Sequence, residues 1–465
     1  MTAAPIILIF FSALIVTVYR GSAMALATVY LGTLLCFFNV PPLPLPFIPD
    51  MTAGGAAVYG MVLGILIKGG EPFPIRWNLI DLIIVLLIAQ TVLSAMFSEY
   101  LWTGVSTGGA MVLTWGAPYV LARKAFGDAD ARRSALWTVL LCSFVMALFA
   151  PIEMRMWPHF FERVRNLCFG FGYSSELYAW RRFGFFRARL GFAHPIYLGN
   201  AALVMMGLIC LMAGTTRIGM RNRWVLWALV AAVVVLISSL SFGPYSGLMV
   251  GAVAYFVMTR WRLIRVSLVP VVVITLMLAL LMTFVMLQVP TTDTFAKGGG
   301  TLETSFRVRA LIVQNSWKMA TTASLLGAGR MITQEELDLE SVDNAYLLFT
   351  MQRGWMFLLL WLTLPLLLAH RASRAMRLDR PGAVFPICSA MAAIFGLFAA
   401  IYTVWASSDF MSLWMLLLGY TVTAIDTALN VNPPLQLAGF QTRAPTRSAP
   451  PPLAAHGAAS RIAMN

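Results

Sequence analysis

The sequence predicts an all-α polytopic membrane protein. Its 465 residues are 60% hydrophobic and only 11% charged, and the mean hydropathy is +0.80. So few charges would not cover the surface of a water-soluble chain of this length. The apolar residues also fall in blocks of roughly 16–23, about the length that crosses a bilayer core as an α-helix. A soluble enzyme with a large core is therefore excluded.

The apolar blocks predict about 12–13 transmembrane helices. The first block has no basic segment before it, so we expect it to remain as a helix rather than to be cleaved as a signal. The predicted crossings are 5–19, 22–39, 53–68, 79–97, 101–122, 134–152, 194–213, 224–241, 244–259, 266–288, 346–368, 383–406 and 409–428.

The basic residues indicate how these helices are oriented. They gather in four short runs between apolar blocks, at 123–133, 217–223, 260–265 and 370–380. Because such runs favour the cytoplasmic side, we expect the C-terminus inside and the N-terminus outside. The net charge of +14 therefore reflects membrane topology, and no nucleic-acid partner is expected.

Two long loops are predicted on the outer side, at 153–193 and 289–345. The first carries three glutamates and seven arginines, at positions 155, 163, 165, 181, 182, 187 and 189. It is either a basic surface that touches anionic headgroups or a site for a phosphate-bearing substrate. The second loop contains a predicted amphipathic helix over 305–329. We expect 1–432 to form the membrane domain and 433–465, rich in Pro and Ala, to be a disordered cytoplasmic tail.

Three polar stretches stand at the outer boundary: FFRARLGFAHPIYLG (185–199), SSLSFGPYSG (238–247) and SVDNAYLLFTMQRGW (341–355). In this order and spacing, from about residue 76 to about residue 368, the chain resembles the O-antigen ligase and polysaccharide polymerase superfamily. Those inner-membrane glycosyltransferases use sugars carried on undecaprenyl pyrophosphate. The resemblance implies a GT-C-like arrangement of helices with the active site facing the periplasm.

The first stretch supplies the candidate pyrophosphate-binding arginine. Arg187 matches the family arginine, seven residues before His194, and Arg189 is the alternative. Guanidinium groups suit a pyrophosphate because they form charge-assisted hydrogen bonds and stabilise a departing anion. Arg187 alternatively extends to lipid headgroups. His194, which precedes Pro195 at the helix start, either contacts substrate or only caps the helix.

The second stretch departs from the family pattern. Phe242 stands where the superfamily has the arginine of Ser-Arg-Gly, and a phenyl ring cannot bind phosphate. Either another basic residue takes over, or pyrophosphate binding differs, or the chain has lost activity. The candidates to take over are Arg309, Arg330 and Arg353.

The third stretch supplies the candidate base. Asp343 and Asn344 occupy the family's His-Asn or Asp-Asn position, and neighbouring family positions are matched by Tyr346, Leu347 and Gly354. An ionised carboxylate can accept the proton of an attacking sugar hydroxyl. Asp343 is therefore the expected base, with Asn344 beside it, although an aspartate here also suits a helix cap. Tyr346 is a further candidate for substrate contact.

The resemblance implies a polysaccharide polymerase that joins lipid-linked oligosaccharide units into exopolysaccharide in a bacterial inner membrane. Its expected partners are the lipid-linked oligosaccharide, the bilayer, a flippase and a chain-length co-polymerase. No nucleotide-binding pattern or acidic metal site occurs in the sequence, so no cofactor and no metal are expected. The first alternative is an O-antigen ligase. The second is an anion transporter, for which Asp81 and Asp426 are the main charges within the crossings.

Overall fold

The structure of the chain is a computed structural model, and it is mostly helical. The described residues are 3–36, 42–44, 49–71, 76–98, 101–156, 160–169, 181–216, 218–261, 269–289, 301–330, 344–378, 384–403 and 408–429. The predicted base, Asp343, and the predicted tail, 433–465, lie outside them.

The first half of the chain contributes seven helices to the described residues. They are α1 (Ala3–Arg20), α2 (Ser22–Ala25, continued by a π-turn Leu26–Tyr30 and by Leu31–Cys36), α3 (Ala53–Ile67), α4 (Leu79–Ser98), α5 (Leu101–Met111, a π-turn Val112–Gly116, and Ala117–Gly127), α6 (Ala129–Arg155) and α7 (Phe160–Phe169).

A two-stranded hairpin and eight more helices follow in the described residues. They are β1 (Arg181–Arg182), β2 (Phe185–Phe186), α8 (Pro195–Thr215), α9 (Arg223–Ser238), α10 (Phe242–Trp261), α11 (Val269–Leu287), α12 (Thr301–Thr322), α13 (Ala345–Arg377), α14 (Val384–Ala400, ending in a 3-10 turn Ile401–Thr403) and α15 (Ser408–Leu429).

The helices confirm a helical membrane protein. Within the described residues, each predicted crossing overlaps one of these helices. Within the described ranges, six helices are long and apolar enough to cross a membrane: Leu79–Phe97, Ala129–Arg155, Pro195–Thr215, Phe242–Arg260, Ala345–Arg377 and Phe410–Leu429. Five apolar helices are shorter, between 10 and 17 residues: Ala4–Arg20, Ser22–Cys36, Ala53–Ile67, Arg223–Ser238 and Val384–Ala400.

Two predicted helices have different limits in the structure. The predicted amphipathic helix 305–329 is wrong at its C-terminal end, because α12 ends at Thr322 and Gly327 and Gly329 lie in a loop with positive φ. The predicted crossing 346–368 is part of a longer helix that is interrupted at Gly354, where φ is 86°. The α12–α13 loop docks at this interruption, since the Gly329 N–H donates to the Gln352 carbonyl at 2.7 Å.

The helix ends gather into two groups. At what we term the ion-pair end, Arg123 of α5 binds Asp81 of α4, and it binds Asp426 of α15 at 2.7 Å. Arg371 of α13 also binds Asp426. Asp81 and Asp426, the two acids that the sequence placed within crossings, are therefore neutralised by arginines. At the opposite end, termed the loop end, α6 and α9 end while α8, α10 and α13 begin.

Helices α10 and α14 pack closely through glycines. A Cβ atom built on Gly396 would lie 2.4 Å from the backbone oxygen of Gly247, and one built on Gly251 would lie 2.8 Å from that of Ala392. Small residues allow such close approach, which is a main source of helix association in membranes. The α14 helix also contacts α8, so this interface positions the start of α8 at the loop end.

Substitution of Gly396 by alanine tests this interface. We expect Gly396→Ala to destabilise the protein by about 1–3 kcal/mol, because the new methyl group meets fixed backbone atoms rather than a movable side chain. Gly32→Ala is the matched control, since a Cβ there lies 3.7 Å from Thr138 Cγ2, an ordinary contact. Thermal unfolding in detergent compares the two variants. An equal midpoint for both would contradict the close packing.

Candidate functional site

The first and second sequence stretches meet at the loop end. The Arg187 Nη2 group donates to Ser241 Oγ at 2.8 Å, and its Nε group donates to the Ser239 carbonyl at 3.4 Å. The Ala188 N–H donates to the Ser238 carbonyl at 3.0 Å. The predicted pyrophosphate-binding arginine is therefore held against the turn that joins α9 to α10, although the two stretches lie about fifty residues apart in the chain.

Arg182 joins Arg187 at this turn. Its Nη1 group donates to the Leu240 carbonyl at 2.9 Å. Arg182 belongs to the hairpin β1–β2, whose two turn residues, Phe183 and Gly184, both have positive φ, as a two-residue hairpin turn requires. In the sequence, Arg182 is one of seven arginines of the first outer loop, and no motif distinguishes it from the others. The sequence signal for this hairpin was the Phe-Gly pair that lies between Arg-Arg and Phe-Phe.

A buried carboxylate holds the segment that carries the arginines. Glu153, at the end of α6, is 1% exposed. One of its oxygens accepts the Phe161 N–H at 2.9 Å, and the other accepts the N–H groups of Arg189 and Leu190, both at 3.0 Å. Arg189 adds a favourable charge interaction. Glu153 therefore ties α7 and the arginine segment to the end of α6.

Backbone strain marks both segments of the site. Leu190 and Leu240 adopt left-handed φ values of 49° and 45°, which residues other than glycine rarely adopt. Leu190 follows Arg189 and is fixed by Glu153, while Leu240 accepts the hydrogen bond from Arg182. Such strain costs of order 1–3 kcal/mol per residue and occurs preferentially at functional sites.

His194 caps α8 and lies among the arginines. Its Nδ1 atom accepts the Ile196 N–H at 3.2 Å, so its ring proton is on Nε2. Burial, together with the charges of Arg187, Arg189 and Arg182, lowers the pKa of His194 from 6.5 to about 3. His194 is therefore a neutral imidazole at neutral pH. We call Arg182, Arg187, Arg189 and His194 the arginine cluster.

The third sequence stretch caps α13. The capping residue is Asn344, whose Oδ1 atom accepts the N–H groups of Tyr346 at 3.0 Å and Leu347 at 3.2 Å. Asn344, which is 2% exposed, thus has the helix-capping role that the sequence left open for Asp343. The Tyr346 hydroxyl donates to the Phe398 carbonyl at 2.6 Å, so it joins α13 to α14 at the loop end.

The other candidate arginines lie on α12, on α13 and in the loop between them. Arg353 lies on α13, and its guanidinium packs on the rings of Trp115, Phe349 and Phe357. Arg309 lies on α12, with a side chain outside the described part of the structure. Arg330 is exposed after the docked loop. Arg182 contacts the α9–α10 turn although it was not among the candidate arginines of the sequence.

Phe242 begins α10 and is 58% exposed. Its ring is therefore turned away from the packed interior at this position. The neighbouring Ser241 is buried and accepts from Arg187. The α9–α10 turn thus presents serine and backbone oxygens to the arginine cluster, while the residue in the family's arginine position faces outward.

No protein-family model matches the chain, and no curated protein matches it. Among the described residues there is no group of three or more His, Cys, Asp or Glu side chains that would hold a metal ion. The expectation of metal-independent chemistry stays a prediction.

The low pKa of His194 predicts a pH-dependent stability. Between pH 6.5 and about 3 the unfolded chain binds a proton that the folded chain does not, so stability falls as the pH falls. At pH 5 this loss amounts to about 2 kcal/mol. We expect His194→Asn, which keeps a capping oxygen, to lose less stability than the wild type between pH 7.5 and pH 5. Thermal unfolding at both pH values measures the difference. Equal losses would contradict a buried, neutral His194.

Proposed function

We propose that the chain is a metal-independent glycosyltransferase that polymerises oligosaccharide units carried on undecaprenyl pyrophosphate. The observation that carries the proposal is the arginine cluster, in which two motifs distant in sequence meet at one end of the helices. Three guanidinium groups in one place offer several charge-assisted hydrogen bonds to a multiply charged diphosphate. The resemblance in motif order supplies the reaction class.

The proposed reaction has one attacking group and one leaving group. A hydroxyl of the acceptor sugar attacks the anomeric carbon of the donor sugar, and the bond from that carbon to the phosphate oxygen breaks. Undecaprenyl pyrophosphate leaves with the electron pair, and Asp343 takes the hydroxyl proton. The arginines stabilise the charge that gathers on the leaving pyrophosphate, an effect typically worth about 3–4 kcal/mol per contact removed.

In this proposal Arg182 takes the place of the missing family arginine. It reaches the α9–α10 turn from the hairpin and donates to the carbonyl two residues before Phe242. Because the cation arrives from another segment, position 242 is free to be apolar and to face lipid. This arrangement supports an active enzyme over one that has lost its chemistry.

His194 acts as a neutral hydrogen-bond donor in this site. Its pKa of about 3 keeps the imidazole uncharged, and Nδ1 is occupied by the helix cap, so only Nε2–H is able to donate. A neutral donor contacts a phosphate oxygen or a sugar hydroxyl without adding to the repulsion among the arginines.

We further propose that the loop end faces the periplasm and the ion-pair end faces the cytoplasm of a bacterial inner membrane. Where the structure describes them, the basic runs 123–133, 217–223, 260–265 and 370–380 belong to the ion-pair end of the 13 proposed crossings, as the positive-inside bias requires. Lipid-linked oligosaccharides delivered by a flippase would then meet the arginine cluster directly, and a co-polymerase would set the chain length.

The alternatives receive different support. A ligase uses the same chemistry with another acceptor, and only the closer resemblance of the first and third stretches favours the polymerase. An anion transporter would need charged groups available within the crossings. Asp81 and Asp426 are instead paired with Arg123 and Arg371, which supports a structural role for these acids.

The arginine assignments are tested by polymerisation in lipid with an undecaprenyl-pyrophosphate oligosaccharide from the host. We expect Arg182→Gln and Arg187→Gln each to slow growth of the product ladder by about 100-fold or more. Arg181→Gln is the matched control, because Arg181 adjoins Arg182 but is exposed and packs on the Phe186 ring. A ladder that survives both substitutions would overturn the site, and a product attached to another acceptor would favour the ligase.

Asp343 is tested in the same assay against its neighbour. We expect Asp343→Asn to abolish the ladder because an amide accepts no proton from the attacking hydroxyl. Asn344→Asp is the comparison, since aspartate is an equally good helix cap and this variant keeps the fold. An unchanged ladder with Asp343→Asn would remove the proposed base while leaving the arginine site intact.

A further inference from the structure

The hairpin β1–β2 docks on the turn in which two proposed crossings end. Arg182 of β1 donates to the Leu240 carbonyl in the α9–α10 turn at 2.9 Å. The Ala188 N–H, just after β2, donates to the Ser238 carbonyl at 3.0 Å. Because α9 ends and α10 begins in this turn, the hairpin is held at the boundary of the membrane rather than beside the middle of a crossing.

The lengths of α9 and α10 give the depth of this turn. Helix α9 begins at Arg223 and has 16 residues, which make about 24 Å of helix. Helix α10 reaches Arg260 after 19 residues, which make about 28 Å. Both arginines belong to basic runs at the ion-pair end, and a hydrocarbon core is about 30 Å thick. The turn therefore lies at the outer edge of the core, where the lipid headgroups begin.

One face of α10 is a lipid-facing surface that begins at this turn. Its exposed apolar residues recur at steps of seven, four and three residues, which place them on one side of the helix: Phe242, Met249, Val253 and Phe256. At the ion-pair end the Arg260 guanidinium lies 5.5 Å from the Phe256 ring, as suits a long cationic side chain that extends to headgroups. Phe242 is therefore the loop-end member of a surface that contacts lipid.

The hairpin adds two exposed rings at the same level. Phe183 at its tip is 72% exposed, and Phe185 is 37% exposed. Phe185 pairs with Arg182 across the two strands, so the two residues share the face that contacts the α9–α10 turn. Large apolar rings are unfavourable in water and favourable among acyl chains. Phe183 and Phe185 therefore extend the lipid-facing surface of α10 beyond Phe242.

The conformation of Phe183 indicates that its ring has a role. In the two-residue turn, Phe183 has a φ of 54° and Gly184 a φ of 79°. Both positions of such a turn favour Gly, Asn or Asp, which adopt positive φ at little cost. A phenylalanine there is strained, and it makes no compensating burial within the protein because most of its surface is exposed. Burial of the ring in lipid would offset the cost.

We propose that the hairpin β1–β2 is an interfacial anchor. Phe183 and Phe185 insert into the phospholipid leaflet at the loop end, beside Phe242, and the lipid thereby holds Arg182 against the α9–α10 turn. Phospholipid is the occupant because the turn lies at the edge of the hydrocarbon core and the rings continue the lipid-facing surface of α10. The inference does not depend on which reaction the arginine cluster performs.

Quenching of a fluorescent label by lipids tests the insertion. A nitrobenzoxadiazole label is attached to Phe183→Cys in a Cys168→Ser background, in phosphatidylcholine nanodiscs that hold one chain each. The background protein treated in the same way gives the signal from the four cysteines of the apolar blocks. Asp130→Cys is the matched control, because Asp130 is exposed at the start of α6, whose 27 residues make a helix of about 40 Å that extends beyond the core.

The two labels should respond in opposite ways. We expect phosphatidylcholine with a nitroxide near the top of its acyl chain to quench the label at position 183 at least about twofold more than the label at position 130, and aqueous iodide to quench it about twofold less. Equal quenching of the two labels would overturn the proposal. Shielding that occurs only in crowded vesicles, and not in nanodiscs, would identify a second copy of the chain as the occupant and would also overturn it.

Hydrogen exchange tests whether the anchor supports the docked hairpin. We expect Phe183→Asp in nanodiscs to speed exchange of the Ala188 N–H by about tenfold, because a carboxylate is expelled from lipid and the hairpin then opens more often. Phe183→Trp, which keeps a large ring, should exchange like the wild type. Leu378→Asp makes the same kind of change on an exposed residue at the ion-pair end and should have no effect. An unchanged rate in Phe183→Asp would overturn the supporting role.

Discussion

The site at the loop end depends on the buried carboxylate of Glu153. Its two oxygens accept three backbone N–H groups, from Phe161, Arg189 and Leu190. Hydrogen bonds of this kind stabilise a carboxylate that would otherwise be costly to bury. They also hold Leu190 in its left-handed conformation, and this fixes the direction of the chain from the arginines to His194. One acid at the end of α6 therefore organises a segment whose own charges repel one another.

The distribution of charge along the helices separates two functions. At the ion-pair end, acids and arginines neutralise one another, and Arg123 and Asp81 are almost fully enclosed. Such pairs contribute little net stability, but loss of one partner is costly, so they fix which helices lie side by side. At the loop end, three arginines lie near His194, and one of them, Arg189, interacts with the buried acid Glu153. This excess of positive charge suits an anionic ligand. The enclosed acids of the ion-pair end are thus matched by arginines, whereas at the loop end the arginine cluster carries more cations than the neighbouring Glu153 offsets.

Hydropathy alone was sufficient to predict the helices, because a bilayer demands long apolar blocks and the chain supplies them. The motif order placed Arg187 and the α9–α10 turn at the same outer boundary, but it did not predict that the two would be hydrogen-bonded. Arg182 was not foreseeable, because its approach depends on a hairpin of two residues per strand that carries almost no periodic signal. Glu153 was counted only as one of the three glutamates of the first outer loop, since nothing in a single sequence shows which backbone groups a carboxylate accepts. The break at Gly354 was hidden for a similar reason: its positive φ is fixed by a loop that arrives from elsewhere.

The central claim is that Glu153 orders the arginines for an anionic ligand. The most direct measurement is the affinity of undecaprenyl pyrophosphate for wild type and for Glu153→Gln, compared at one pH and salt concentration. Simple charge counting predicts tighter binding, because a negative charge beside an anion site is removed. The ordering account predicts binding weaker by about tenfold or more, since the amide cannot accept all three N–H groups and the arginine segment loses its support. Equal or tighter binding would contradict the account.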